Sequence, residues 1–323
     1  MDVYEALPVS YADGFLGQRF FAHINNRLHT KEYTPLRKPF QQCAKLVGDE
    51  RVFTKFYAEF GAKLLEAQAD GYNLTKDPVV LEHMRDMLRV ILAAQEDTGY
   101  FDGTGHPEDG KFRGWHLWNS KYILLALLAV WRATGDASVL ECACKGADVL
   151  AHAFLENEDI SQTPWEGYTG YSILEAYCRL YAITGRNLYL KFAEHIVEKL
   201  EEKHRLVEKL LNHTPVYDLP PAKAYEMTST IEGILEFYRV TGIAKYLDAV
   251  CGYWKSVQET QITLAGSGSQ FELWQKKPDV SYQIGTEKRA MENCVTNYWL
   301  RLSENLFRLT GEPLYADAIE VIL

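Results

Sequence analysis

Two carboxylates, a thiol and a set of indole rings are the residues of this 323-residue chain whose spacing could do chemistry. Glu292, Asn293 and Cys294 open a helical pattern that continues through Trp299, Leu302 and Leu306. The first turn of a helix carries unsatisfied N–H groups and a partial positive charge, which favours a thiolate at Cys294. Glu292, two residues earlier, could orient that thiolate or share a metal ion with it. The plainer reading is that Glu is favourable in any first turn and that a lone cysteine is a small core residue. Glu272 lies between Phe271 and Trp274, after Gly266-Ser-Gly-Ser-Gln. Desolvation by those rings would raise its pKa and suit it to general-acid work, although most of the chain's 44 acidic residues must simply be solvated. Trp115, His116 and Trp118 run directly into an all-apolar helix. Indoles stack on the apolar faces of sugars and imidazole bonds to hydroxyls, so these three, with Trp165 and Trp274, are candidate sugar contacts. The competing reading is that the rings pin the start of the helix.

The elements that must position these residues are repeated. Four segments end one helical pattern and begin another at a Thr-Gly pair, with Thr at 134, 184, 241 and 310, spaced by 50, 57 and 69 residues. Glycine after the last periodic residue is the signature of a left-handed helix cap, and the short connector makes the two helices antiparallel. Asn73 to Pro78 is a degenerate earlier copy, giving at least five helical hairpins. The first helix of a hairpin is apolar all round, as in Tyr122 to Trp131. The second is striped, as in Leu188, Phe192, Ile196, Val197 and Leu200 backed by charge. This predicts an all-α (α/α) barrel, a single domain over residues 1–323 that stops near its last helices, with first helices inside and second helices outside. A solenoid would hold a fixed period, and this repeat drifts. The drift lies in the long connections Gln95 to Trp118, Glu156 to Tyr168, His204 to Lys223 and Gln258 to Met291, which hold the candidate site residues.

Composition narrows the function. A formal net charge of -10 argues against nucleic acid or an anionic membrane as partner. The longest apolar run falls far short of the roughly 20 residues of a membrane span. No secretory leader is visible, and six scattered cysteines suit a reducing, cytoplasmic setting. A homodimer is left open.

Glu292-Asn-Cys294-Val-Thr-Asn-Tyr-Trp-Leu-Arg-Leu-Ser-Glu-Asn-Leu-Phe-Arg-Leu-Thr-Gly-Glu-Pro-Leu-Tyr-Ala-Asp resembles the E-T-C … L-T-G-D-x-x-Y-A-D segment of the glycoside hydrolase family 127 type, the β-L-arabinofuranosidase group. Asp13-Gly-Phe-Leu-Gly-Gln-Arg19, Gly114-Trp-His-Leu-Trp-Asn-Ser-Lys-Tyr122 and Ala224-Tyr-Glu-Met-Thr-Ser-Thr-Ile-Glu-Gly233 match in the same order. The resemblance implies an (α/α)6 barrel, normally followed by β-sandwich domains that this chain lacks, and retaining hydrolysis of terminal furanosides of plant-type glycans. It implies a zinc ion held by Glu292, Cys294 and an adjacent cysteine pair, one of which is the nucleophile, with Glu272 as acid/base. No adjacent cysteine pair is present, and Ser120, Lys121, Ala222 and Lys223 stand where histidines would surround the sugar. The expectation is therefore weak or absent zinc, and a chain that is either a glycosidase or a sugar binder without turnover. A helical-repeat interaction protein is the alternative from another class. A sugar epimerase or lyase would need several His and Arg residues on the inner helices, and these read as poor in both.

Overall fold

The computed structural model describes residues 13–30, 34–43, 57–101, 110–163, 167–276 and 291–323. The fold is all-α, of the (α/α)6-barrel class that the family resemblance implies. Among the described residues there is no strand, only isolated bridges such as Lys223 with Leu273. The helices group into two compact units, Val3–Glu158 and Asp159–Leu323.

The first unit holds α1 (Gly14–His23), α2 (Thr34–Cys43), α3 (Tyr57–Thr75), α4 (Pro78–Ala93), α5 (Gly114–Thr134) and α6 (Ala137–Glu156). The second holds α7 (Leu174–Thr184), α8 (Asn187–His204), α9 (Leu206–Leu211), α10 (Ala224–Thr241), α11 (Ala244–Thr260), α12 (Asn293–Thr310) and α13 (Pro313–Ile322). The short α9 sits inside a connection that reads as loop in the sequence.

Every hinge is built the same way. Gly135, Gly185, Gly242 and Gly311 have φ of 72, 67, 69 and 72°, the left-handed region that only glycine enters without strain. The threonine before each glycine does the other half of the work. Its hydroxyl donates to the carbonyl four residues back at 2.7–2.8 Å and accepts from the amide two residues ahead at 3.2–3.4 Å. One side chain thus satisfies a carbonyl and an amide that a helix end leaves over. The degenerate copy is Thr75-Lys76-Asp77. Thr75 makes both bonds, at 2.7 and 3.2 Å, and Lys76 takes the glycine's place at φ 55°. Asp77 then caps α4 through the amides of Val79 and Val80, with Pro78 in the first turn.

Burial separates two kinds of helix. In α5 every residue from Leu117 to Val130 is buried, and in α10 every residue from Ala224 to Phe237. α6, α8 and α11 bury one stripe each. In α8 that stripe starts at Tyr189, with Leu188 only half-buried, because Tyr189 packs its ring on Tyr177 of α7 at 5.9 Å. In the first unit α3 packs on α5, and in the second α10 packs between α7 and α12. The α7–α10 approach is close enough to require glycine. A Cβ on Gly233 would lie 2.9 Å from Leu174 Cβ and 3.1 Å from the Glu175 amide. α11 and α12 lock through Trp254 and Trp299, stacked at 5.1 Å, with the Trp254 indole donating to Ser303 Oγ at 2.9 Å.

Candidate functional site

The second unit brings Glu272, Glu292 and Cys294 to one end. The loop after α11 folds back over the starts of α10 and α12. Gln270 and Leu273 exchange both backbone bonds, at 3.0 and 3.1 Å, so Phe271 and Glu272 form the tip of a two-residue turn. Their φ values are 53° and 65°. Turns of this shape favour Asn-Gly, and a bulky residue with positive φ costs on the order of 1 kcal/mol. Strain held at a carboxylate is characteristic of sites where orientation matters.

Three tethers hold this turn on α10. The Ala224 amide donates to the Glu272 carbonyl at 3.0 Å, and the Trp274 amide donates to the Ala222 carbonyl at 2.8 Å. The Lys223 ammonium donates to Glu272 Oε2 at 2.6 Å. Trp274 is the buried anchor behind them, 3% exposed, its indole donating to Tyr253 Oη at 3.2 Å. Tyr253 in turn pairs with Thr228 of α10 at 2.6 Å.

The same loop reaches α12. Met291 N donates to Ser269 O at 3.0 Å, and the hydroxyls of Ser267 and Thr296 pair at 2.5 Å. Glu292 is the residue before α12 and Cys294 lies in its first turn, half-buried. The acid candidate, on the loop, and the thiol, in the first turn of α12, each stand three residues from the Ser269–Met291 bond. The segment before α7 joins this end too. Gly167 packs so tightly on Pro221 that a Cβ would fall 2.1 Å from its ring, and Tyr168 Oη donates to Pro220 O at 3.5 Å.

The aromatic candidates of the first unit do different work. α5 begins at Gly114, so Trp115 and His116 are in its first turn instead of a connecting loop, and His116 Nδ1 accepts from the Arg113 amide at 2.8 Å as a cap. Trp118 is 1% exposed and its indole donates to Glu59 at 2.7 Å. A ring so enclosed has no open face for stacking, and the same holds for Trp274. Trp115 and His116 remain half-buried. Trp165 lies outside the described residues.

One constellation escapes a local reading of the sequence. Glu175, Glu232 and Arg301 each stand nine residues before a hinge threonine, and Arg179, Glu236 and Asn305 each stand five before it. Counting back from the hinges puts them in two layers on one stripe of α7, α10 and α12, and the contacts agree. Arg301 binds Glu175, Arg179 binds Glu175 at 3.0 Å and Glu236 at 3.6 Å, and Asn305 donates to Glu232 at 3.0 Å. Arg239 adds a bond to Asn305 at 3.2 Å. Burial, together with the negative charges of Glu175 and Glu236, pushes the Glu232 carboxyl up to about 7, against the pull of Arg301 and Arg179. The inner helices are thus not poor in arginine, contrary to the sequence reading. Arg179 and Arg301 are engaged by buried carboxylates. Above them, Tyr298 packs edge-on against Tyr225 at 5.1 Å, and the Arg301 guanidinium lies 5.5 Å from the Tyr298 ring.

A zinc centre needs about four converging donors. Among the described residues no group of three His, Cys, Asp or Glu side chains converges for a metal. Glu292 and Cys294 would be two of the donors that such a centre requires.

Comparison with known proteins bears on what this arrangement does. The family model for the GH127 catalytic domain of β-L-arabinofuranosidase matches residues 20–323. A solved GH127 β-arabinofuranosidase superposes with a TM-score of 0.75 at 22% identity, covering 96% of this chain and 52% of that one. A GH127 β-L-arabinofuranosidase from Geobacillus stearothermophilus T6 gives 0.71 at 19%, covering 94% and 52%. A sugar epimerase from a ruminal bacterium gives 0.56 at 13%, covering 89% and 85%. The chain spans about half the length of the two GH127 proteins. Among curated proteins none matches. In the described residues no helix is long and apolar enough to cross a membrane.

Proposed function

This chain belongs to the GH127 β-L-arabinofuranosidase catalytic-domain family, and from that premise we propose that it acts on the glycosidic bond of a terminal furanoside such as a β-L-arabinofuranoside. The observation that carries the reading is the Glu272 turn. A carboxyl group on a strained two-residue tip, tethered to the start of α10 and linked through the Ser269–Met291 bond to the segment before Glu292, supports the role of proton donor to a leaving oxygen. Glu292 and Cys294 are the zinc donors that the family resemblance implies. When bound, a metal there would keep the thiol deprotonated, but the two donors call for weak occupancy in this polypeptide. The retaining course and the cytoplasmic setting belong to the same proposal.

A second reading, sugar binding without turnover, is favoured by one observation. No cysteine within residues 1–323 is adjacent to another, so these residues do not themselves supply the pair that carries the family's nucleophile. A panel of chromogenic pentofuranosides and pentopyranosides decides between them. Release from the furanosides supports hydrolysis. Furanoside binding by calorimetry with no release supports the second reading. Neither release nor binding would sink both.

A further inference from the structure

We propose that Lys223 is a positioning residue for Glu272, holding its carboxyl group in the one orientation from which the turn can serve the reaction. The assignment rests on the acid/base reading of Glu272. Glu272 is at the exposed tip of its turn, its side chain 43% accessible, so its own packing cannot fix its torsions. Lys223 is the better held of the two, 15% accessible and directly preceding α10. Its backbone pairs with Leu273 through the flanking bonds from Ala224 and Trp274, so its side chain and the Glu272 side chain leave the same two-stranded patch. The 2.6 Å contact then removes the remaining freedom. A carboxylate has two oxygens. One is bonded to the ammonium at Oε2, which leaves Oε1 as the oxygen aimed elsewhere. A hydrophobic contact would not select between the two oxygens, whereas a hydrogen-bond donor does, and a charged one binds more strongly than a neutral one. The pair is separated by 49 residues in sequence and joins the α10 start to the loop that also contacts α12.

The test compares wild type with K223M, K223R and E272Q, using furanoside hydrolysis and amide exchange of the turn. K223M should lower kcat by about 10- to 100-fold with KM within about threefold, the signature of lost orientation. K223R should recover most of the loss, because a guanidinium can still donate to Oε2. In K223M the Trp274 and Ala224 amides should exchange about tenfold faster, while the Thr241 hinge stays protected, which separates a released turn from a misfolded protein. If E272Q is slow and K223M matches wild type, Lys223 has no such role and the acid/base reading stands. If E272Q matches wild type, the acid/base reading falls and the assignment of Lys223 falls with it. If nothing is hydrolysed, the exchange data decide: unchanged exchange in K223M overturns the clamp.

Discussion

Replacing Glu232 by glutamine should make the protein more stable at high pH and leave it nearly unchanged at low pH. Glu232 is fully buried on α10, faced by Glu175 and Arg179 from α7, by Glu236 from its own helix, and by Arg301 and Asn305 from α12. Its carboxyl is raised from 4.5 to about 7, first by burial and then by the two neighbouring carboxylates. Between those values the folded chain holds a proton that the unfolded chain has lost. The contribution of this group is therefore whole below pH 4.5 and is lost as pH rises through 7. At 1.36 kcal/mol per unit the loss amounts to roughly 3 kcal/mol. Glutamine cannot ionise, its oxygen can still accept from Asn305, and its NH2 stands in for the protonated oxygen. Urea unfolding at several pH values would show the midpoint gap between E232Q and wild type widening by about 2–3 kcal/mol from pH 5 to 8.5, with the slope m unchanged. A gap independent of pH, or a variant that loses ground as pH rises, would refute the reasoning.

Other substitutions test other links. Gly233→Ala should cost about 1–3 kcal/mol in urea unfolding, since its Cβ would press on Leu174; an unchanged midpoint would mean that the α7–α10 contact gives way freely. Thr241→Ala should cost about 1 kcal/mol through the two hinge bonds it removes, and Thr241→Ser should recover most of it. Trp274→Ala should lower stability by about 3–5 kcal/mol because the ring is core; a fully stable variant with weaker sugar binding would instead make it an exposed platform. Protein equilibrated with zinc and then gel-filtered should retain less than one ion per chain, and stoichiometric zinc with four protein ligands would contradict the two-donor reading.

The hinges were legible because their causes are local. A positive φ asks for glycine within two residues of the turn, and the apolar patterns on either side give helix type and direction. The Thr75-Lys76 hinge was harder to place, since a lysine hides the glycine signal while the threonine bonds persist. The site was legible as a region and less so as a set of roles. The Ser269–Met291 bond ties the Glu272 turn to the segment that leads into Glu292 and Cys294. Trp118 and Trp274 read as open rings, yet their indoles find partners 59 and 21 residues away. Nothing beside a tryptophan tells which distant acceptor will claim it. The Lys223–Glu272 pair is non-local in the same way. The buried ion lattice of α7, α10 and α12 was recoverable. Each of its charges looks like a solvated residue alone, and only counting back from the hinge threonines shows that they share a register.

The most direct test of the central claim is the effect of Glu272→Gln on two furanosides that differ only in the leaving group. A poor alkoxide leaving group needs a proton and a dinitrophenolate does not. Glu272 as proton donor predicts a loss in kcat/KM, which reports the bond-breaking step, of about 10²–10⁴-fold on the alkyl furanoside and at most a few-fold on the dinitrophenyl one. Equal losses in kcat/KM on both, or wild-type values on both, would contradict the account.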